Sequence, residues 1–131
     1  MSDSKDGMIS AMTVPAKGLA AQWIPQRVAT WIDACGDGKV RLKFDNENPI
    51  KALAEVVRKH REAGSTTVFE SPEEGESQSN QTVEGAVGIA KGMIRTIKAA
   101  TDANLKTELA PGHPLILWFV EHALQMRNRF R

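Results

Sequence analysis

The alternation and helical spacing of apolar residues divide the chain into strands and helices. Alternating runs bounded by Gly, Pro or Asp predict three strands, at Met8–Val14, Val40–Phe44 and Thr66–Glu70. Apolar residues at helical spacing predict four helices, within 19–35, from Asn48 to near Gly64, over about 82–100 and from Pro114 onward. Strands that alternate with helices in this order are typical of an α/β layer architecture.

Proline positions refine the starts of two of these helices. Pro25 is expected near the start of the first, where a missing amide is tolerated. Asn48 before Pro49 predicts an N-cap followed by the first helical residue. The second helix should then bury Leu53, Val56 and Val57.

The two C-terminal helices carry apolar stripes that we expect to be buried. The stripe of the long helix is Val83, Ala86, Val87, Ala90, Ile94 and Ile97. The inner side of the last helix is predicted to hold Leu115, Trp118, Phe119, His122 and Met126. The pattern therefore predicts that each of the two helices packs on a hydrophobic core through its apolar stripe.

The opposite face of the long helix is charged. Glu84, Lys91, Arg95 and Lys98 recur at i, i+7, i+11 and i+14, so one carboxylate and three cations share a face. A row of cations suits the phosphates of a nucleic-acid backbone, although a charged outer face is more often simply solvated. Three glycines interrupt this helix, and each costs about 1 kcal/mol relative to Ala. Such a cost is expected to be retained where a backbone or ligand must approach the helix closely. They are Gly85, Gly88 and Gly92.

Composition and charge narrow the setting. A length of 131 residues predicts a single domain over 1–131, in which the polar stretch 71–80 is expected to be a mobile loop. Residues 70–84 carry five glutamates and no base, whereas 85–131 carry seven bases and three acids. The chain has one cysteine, no histidine spacing typical of zinc sites, and no apolar stretch that suggests a signal peptide or membrane span. We therefore expect an intracellular protein, nuclear or cytoplasmic, without a membrane partner.

Asp45 stands out because it follows the predicted strand Val40–Phe44. Ligands of open α/β sheets gather beyond the carboxyl ends of the strands, which makes Asp45 a candidate for chemistry. A role in the turn before the next helix is an equally good interpretation.

Together these residues resemble the catalytic core of retroviral and retrotransposon integrases. The motifs are KVRLKFDNENPIKAL, in which Asp45 looks like the second acidic residue of the family, and ESPEEGESQSNQTVEGAVGIAKG, in which Glu84 looks like the third. Glu84 follows Asp45 by 39 residues, near the spacing of the family. TVPAKG near the N-terminus and HPLILWFVEHALQMRNRF at the C-terminus extend the resemblance over nearly the whole chain.

The resemblance implies a ribonuclease H-like three-layer α/β fold and a relation to DNA integration by metal-dependent phosphodiester transfer. Asp45 and Glu84 would be catalytic residues and ligands of Mg²⁺ or Mn²⁺, which prefer hard oxygen donors. Lys91 matches a position that the family uses to hold DNA ends, and Arg95 and Lys98 continue that DNA-binding face. DNA is the implied partner, and RNA binding and a homodimer stay open.

The chain departs from the family pattern at two places. The first catalytic Asp of the family has no counterpart, because Asp3 and Asp6 match a hairpin turn. We therefore expect an incomplete sheet that lacks its first strands. The core should be truncated or degenerate, and inactive. Gln81 stands where the family has Gly after Gln-Ser-Asn. The alternatives are a non-catalytic module of the same fold that binds nucleic acid or protein, and an unrelated α/β domain.

Overall fold

A computed structural model describes residues 1–36, 38–70 and 81–130 of the protein. The elements are α1 (Trp23–Ala34), β1 (Lys39–Lys43), α2 (Asn48–His60), β2 (Thr66–Glu70), α3 (Gln81–Leu105) and α4 (Pro114–Arg129). Helices alternate with the strands of a two-stranded parallel sheet, which agrees with the predicted α/β class. The loop predicted at 71–80 lies outside the described residues.

The described chain forms two compact units. One contains Met1–Thr13 with α3 and α4, and the other contains α1, β1, α2 and β2. The single domain over 1–131 stays a prediction.

The unit with the sheet is built around β1, α2 and β2. The strands pair in parallel from Lys39 opposite Thr66 to Lys43 opposite Glu70, and α2 connects them. Val40 and Leu42 of β1 pack on a cluster formed by Ala29, Ile32 and Val57 of the two helices. One face of the sheet is thus covered by α1 and α2, as expected from the alternation of β1.

A buried ion pair joins the ends of these elements. The side chain of Arg61 is only 1% exposed, and its Nε donates to Asp33 Oδ1 at 2.8 Å. One guanidinium nitrogen also donates to Thr67 Oγ1 at 3.0 Å, and the other oxygen of Asp33 accepts from the backbone of Glu62. The pair therefore ties the C-terminal ends of α1 and α2 to the start of β2.

The first turn of α2 differs from the sequence prediction. Glu47 is the N-cap residue, so Asn48 is the first helical residue and makes no side-chain cap. The helix ends at His60 rather than near Gly64. The buried residues of α2 are Ala54 and Val57. Of the three residues expected to be buried, only Val57 is therefore fully buried, and Leu53 and Val56 are half-buried.

The predicted strand Met8–Val14 is wrong. Only an isolated antiparallel bridge forms, between Ser2 and Ile9. The backbone of Ile9 instead bonds the side chain of Asn128, which accepts from its N–H at 3.1 Å and donates to its carbonyl at 2.8 Å. An amide side chain on α4 thus replaces a partner strand.

Helix α3 runs five residues beyond its predicted end. It closes with Lys106 in a left-handed conformation, φ 53°, and Thr107 N donates to Asp102 O at 3.2 Å. This is the hydrogen-bond pattern of a Schellman C-cap, with Lys in the position that usually holds Gly.

The apolar stripes of α3 and α4 are only partly buried. On α3 Ala86 packs with Ile9 and Leu124, whereas Val83 and Val87 are exposed. The predicted inner side of α4 is largely wrong, since its buried residues are Phe119, Ala123 and Leu124. The remaining members of the predicted inner side stay accessible; Leu115, Trp118 and Met126 are exposed and His122 is half-buried. Because α4 is apolar on both sides, its periodicity did not determine the buried face.

Asp33→Ala should destabilise the unit that contains the sheet by about 3 to 5 kcal/mol, because it leaves the charge of Arg61 buried without its partner. Urea unfolding followed by circular dichroism measures the change. Glu55→Ala is the matched control, since it breaks an exposed pair with Arg58 and should cost no more than about 1 kcal/mol. Equal losses in the two variants would contradict this role of the ion pair.

Candidate nucleic-acid interface

Two of the three predicted DNA contacts on α3 are available to a ligand. Lys91 and Arg95 are exposed, and within the described ranges no carboxylate forms an ion pair with either of them. They lie four residues apart on one side of the helix, a rise of about 6 Å along its axis. Two cations without a described counter-charge therefore project from one face of this unit.

Lys98 differs from these two because it is already engaged. Its ammonium donates to Asp102 Oδ2 at 2.7 Å and lies 3.8 Å from a carboxylate oxygen of Glu108. The hydrogen bond with Asp102 raises the pKa of Lys98. The pKa of Asp102 is lowered, first by this bond and then by the backbone N–H of Leu109, which Asp102 accepts at 2.9 Å. Lys98 thus helps to hold the end of α3 and offers less charge to a phosphate.

The helix glycines lie in open space. A Cβ placed on Gly85, Gly88 or Gly92 would meet no described atom within 4 Å outside the helix. The packing of the described chain therefore does not require them, and the surface beside the cations is bare backbone.

Glu84 is exposed in the first turn of α3. An acidic residue there interacts favourably with the helix dipole, by roughly 0.3 to 1 kcal/mol. Within the described part of the chain its carboxylate has no hydrogen bond or ion pair, so its oxygens are open to solvent.

Asp45 lies two residues beyond β1, in the loop that leads to α2. It is exposed and likewise has no bonded partner among the residues that the structure describes. The segment before α1 contacts this loop and the start of α2. Lys17 forms an ion pair of 3.0 Å with Glu47, and Gly18 packs against Pro49. At Gly18, φ is +82° and an added Cβ would lie 3.0 Å from the Pro49 carbonyl, so only glycine fits there without strain.

The structure assigns the two predicted carboxylates to different units, Asp45 to the unit of the sheet and Glu84 to that of α3 and α4. In the ranges 1–36, 38–70 and 81–130, no three His, Cys, Asp or Glu side chains are grouped as metal ligands would be. Among the predicted site residues, the cations of α3 are brought together on one face.

One charged surface was not among the predicted sites. Lys39, Arg41 and Lys43 alternate along β1 and all point away from α1 and α2, so that they are exposed. The sequence contains the signal, since KVRLK places a base at every second position of a strand.

Comparisons with known proteins returned no match, either to a model of a protein family, to a curated protein or to a solved structure. Over the described residues, no helix combines the length and apolar character needed to cross a membrane.

The Asp102 carboxyl pKa, measured by NMR titration, should lie below the ordinary value and rise in Lys98→Met, because the ammonium hydrogen bond is lost. A depressed folded pKa stabilises the protein above the unfolded pKa, and this stabilisation is lost as the pH falls through the folded pKa. Lys98→Met should therefore reduce the loss of helicity that accompanies acidification below about pH 4.

Glu108→Gln is the control for this titration, because that carboxylate is 88% exposed and lies farther from the ammonium. It should leave the Asp102 titration almost unchanged. An Asp102 pKa that is the same in Lys98→Met and in the parent would rule out the pairing.

Proposed function

We propose that this protein is a nucleic-acid-binding, integrase catalytic domain-like protein of retrotransposon origin, related to DNA integration. The observation that carries the proposal is the pair of exposed cations Lys91 and Arg95 on α3, which have no ion-pair partner among the described residues. Each can replace a counterion condensed on a nucleic-acid backbone, which gives favourable, salt-dependent binding. DNA is the proposed ligand, and RNA presents the same backbone charge.

The order of elements supports the relation to integrases and the ribonuclease H-like fold. A parallel β1–α2–β2 arrangement places Asp45 just past the carboxyl end of a strand, where α/β proteins locate their ligands. Glu84 lies in the first turn of a 25-residue helix after β2. Both positions agree with the motifs that carry the resemblance.

The proposal includes a weak site for Mg²⁺ or Mn²⁺. Asp45 and Glu84 supply the hard carboxylate oxygens that these ions prefer, and both are exposed without a described partner. A bound ion would activate a water or hydroxyl and stabilise the leaving oxygen in phosphodiester transfer. Because the two residues belong to different units, each would hold an ion through one carboxylate and therefore weakly, and we propose no transfer activity for this chain.

A second candidate is a non-catalytic module of the same fold that binds a protein. The exposed side chains of α4 favour it, since Trp118 is 54% exposed and stacks on His122 with ring centroids 4.2 Å apart. Leu115 and Met126 extend this apolar surface along the helix. Exposed aromatic and Met side chains are enriched at protein interfaces.

Lys91→Ala with Arg95→Ala should weaken binding to a labelled DNA duplex and flatten its salt dependence. The slope of log K against log salt should fall by about 1 for each lost phosphate contact. Fluorescence anisotropy between about 50 and 200 mM salt covers the useful range.

Lys51→Ala with Lys59→Ala is the matched control, because these residues are equally exposed cations on α2. The control and Glu84→Gln should retain the parent slope. If the α3 variant and the parent give parallel lines, the α3 surface does not bind DNA.

Mn²⁺ titration by calorimetry tests the metal site. Asp45→Asn and Glu84→Gln should each reduce the heat of binding, because each removes one carboxylate ligand. Glu108→Gln, at an exposed glutamate outside the proposed site, should titrate like the parent. Equal titrations of the parent and the two site variants would exclude these residues as ligands.

A further inference from the structure

The outer face of β1 is a row of positive charge. Lys39, Arg41 and Lys43 are exposed at alternate positions, while Val40 and Leu42 between them pack on the helices. Alternate residues of a strand are separated by about 6.6 Å, so the three cations span about 13 Å in a line.

Glu70 is the carboxylate that compensates this row among the described residues. One of its oxygens lies 3.3 Å from Arg41 and the other lies 3.7 Å from Lys43. Lys39 has no ion pair within the described chain, and Arg41 is still 73% exposed despite its contact. Among the described residues, three cations against one carboxylate leave a net charge of +2 on this face.

The position of this charge limits what can cover it. Parallel sheets normally have both faces covered, and here α1 and α2 cover one. An apolar layer on the other face would remove several cations from water, at a cost of several kcal/mol for each ion that is left without a partner. A polyanion that covered the same face would neutralise the cations. Charge complementarity therefore favours a polyanion as the partner of this face.

We propose that the outer face of β1, formed by Lys39, Arg41 and Lys43, binds the phosphate backbone of DNA. The inference rests on the proposed function for the nature of the partner, but it uses a different surface from α3. One DNA strand carries a phosphate for about every 3.4 Å of rise along the duplex axis, so a row of cations about 13 Å long can contact neighbouring phosphates of that strand. Phosphate contacts carry no base-sequence information, so we expect this binding to be independent of base sequence.

Charge removal on the full chain tests the proposal. Lys39→Gln with Arg41→Gln should weaken binding to a labelled duplex about tenfold near 0.1 M salt and lower the salt slope by about 1 to 2. Lys51→Gln with Lys59→Gln changes the net charge by the same amount and should leave both values near those of the parent. Equal effects of the two double variants would show a response to net charge alone and overturn the proposal.

Glu70→Gln provides a test in the opposite direction. It releases Arg41 and Lys43 from their carboxylate, so duplex binding should become several-fold tighter and more salt-dependent. A merely structural ion-pair cluster would instead lose stability in this variant without a gain in affinity, and that result would overturn the proposal even if Lys39→Gln with Arg41→Gln failed to fold.

The α3 variants separate this inference from the proposed function. Loss of binding in the β1 variant but not in Lys91→Ala with Arg95→Ala would support the β1 surface and refute the α3 surface. The reverse result would refute the β1 surface alone. Absence of duplex binding by the parent, including the case in which it binds only vesicles of an anionic lipid, would refute both.

Discussion

A buried ion pair between Arg61 and Asp33 is the constraint on which the sheet-containing part of the chain depends. A guanidinium at 1% exposure has to satisfy its donors within the protein, and it does so on a carboxylate of α1 and on the first residues of β2. Satisfying them determines where α2 ends and β2 begins. The contacts with β2 are made at Thr66 and Thr67, which lie opposite Lys39 and Val40 at the start of the parallel pairing.

The same register sorts the side chains of β1 between two environments. Val40 and Leu42 face the helices, which requires the three bases to lie on the other side. Exposed cations on a helix or strand are usually solvated and contribute little to stability. Whether such a cation stabilises the fold or is available to a ligand depends on the groups that surround it. Lys98 is compensated by Asp102 and Glu108, whereas Lys91 and Arg95 have no described counter-charge. The structure thereby separates bases that stabilise the fold from bases that are available to a ligand.

The buried face follows from local periodicity in β1 but not in α4. In β1 strict alternation leaves a single choice of inner face, and the structure agrees with it. In α4 apolar residues lie on both sides of the helix, and the side that carries Leu124 is buried where Leu124 packs with Ala86 and Ile9. The missing strand at Met8–Val14 has a similar cause. Its weak alternation has no described strand beside it, and Asn128 satisfies the backbone of Ile9 instead.

The sequence by itself determined the order of the four helices with β1 and β2, the single inner face of β1, and the charged face of α3. These are properties of local periodicity, which requires no knowledge of distant residues. Only the tertiary structure decided that Arg61 is buried on Asp33 and that the bases of β1 share a face with Glu70. Each of these depends on groups brought together by folding, and spacing along the chain does not specify such pairs.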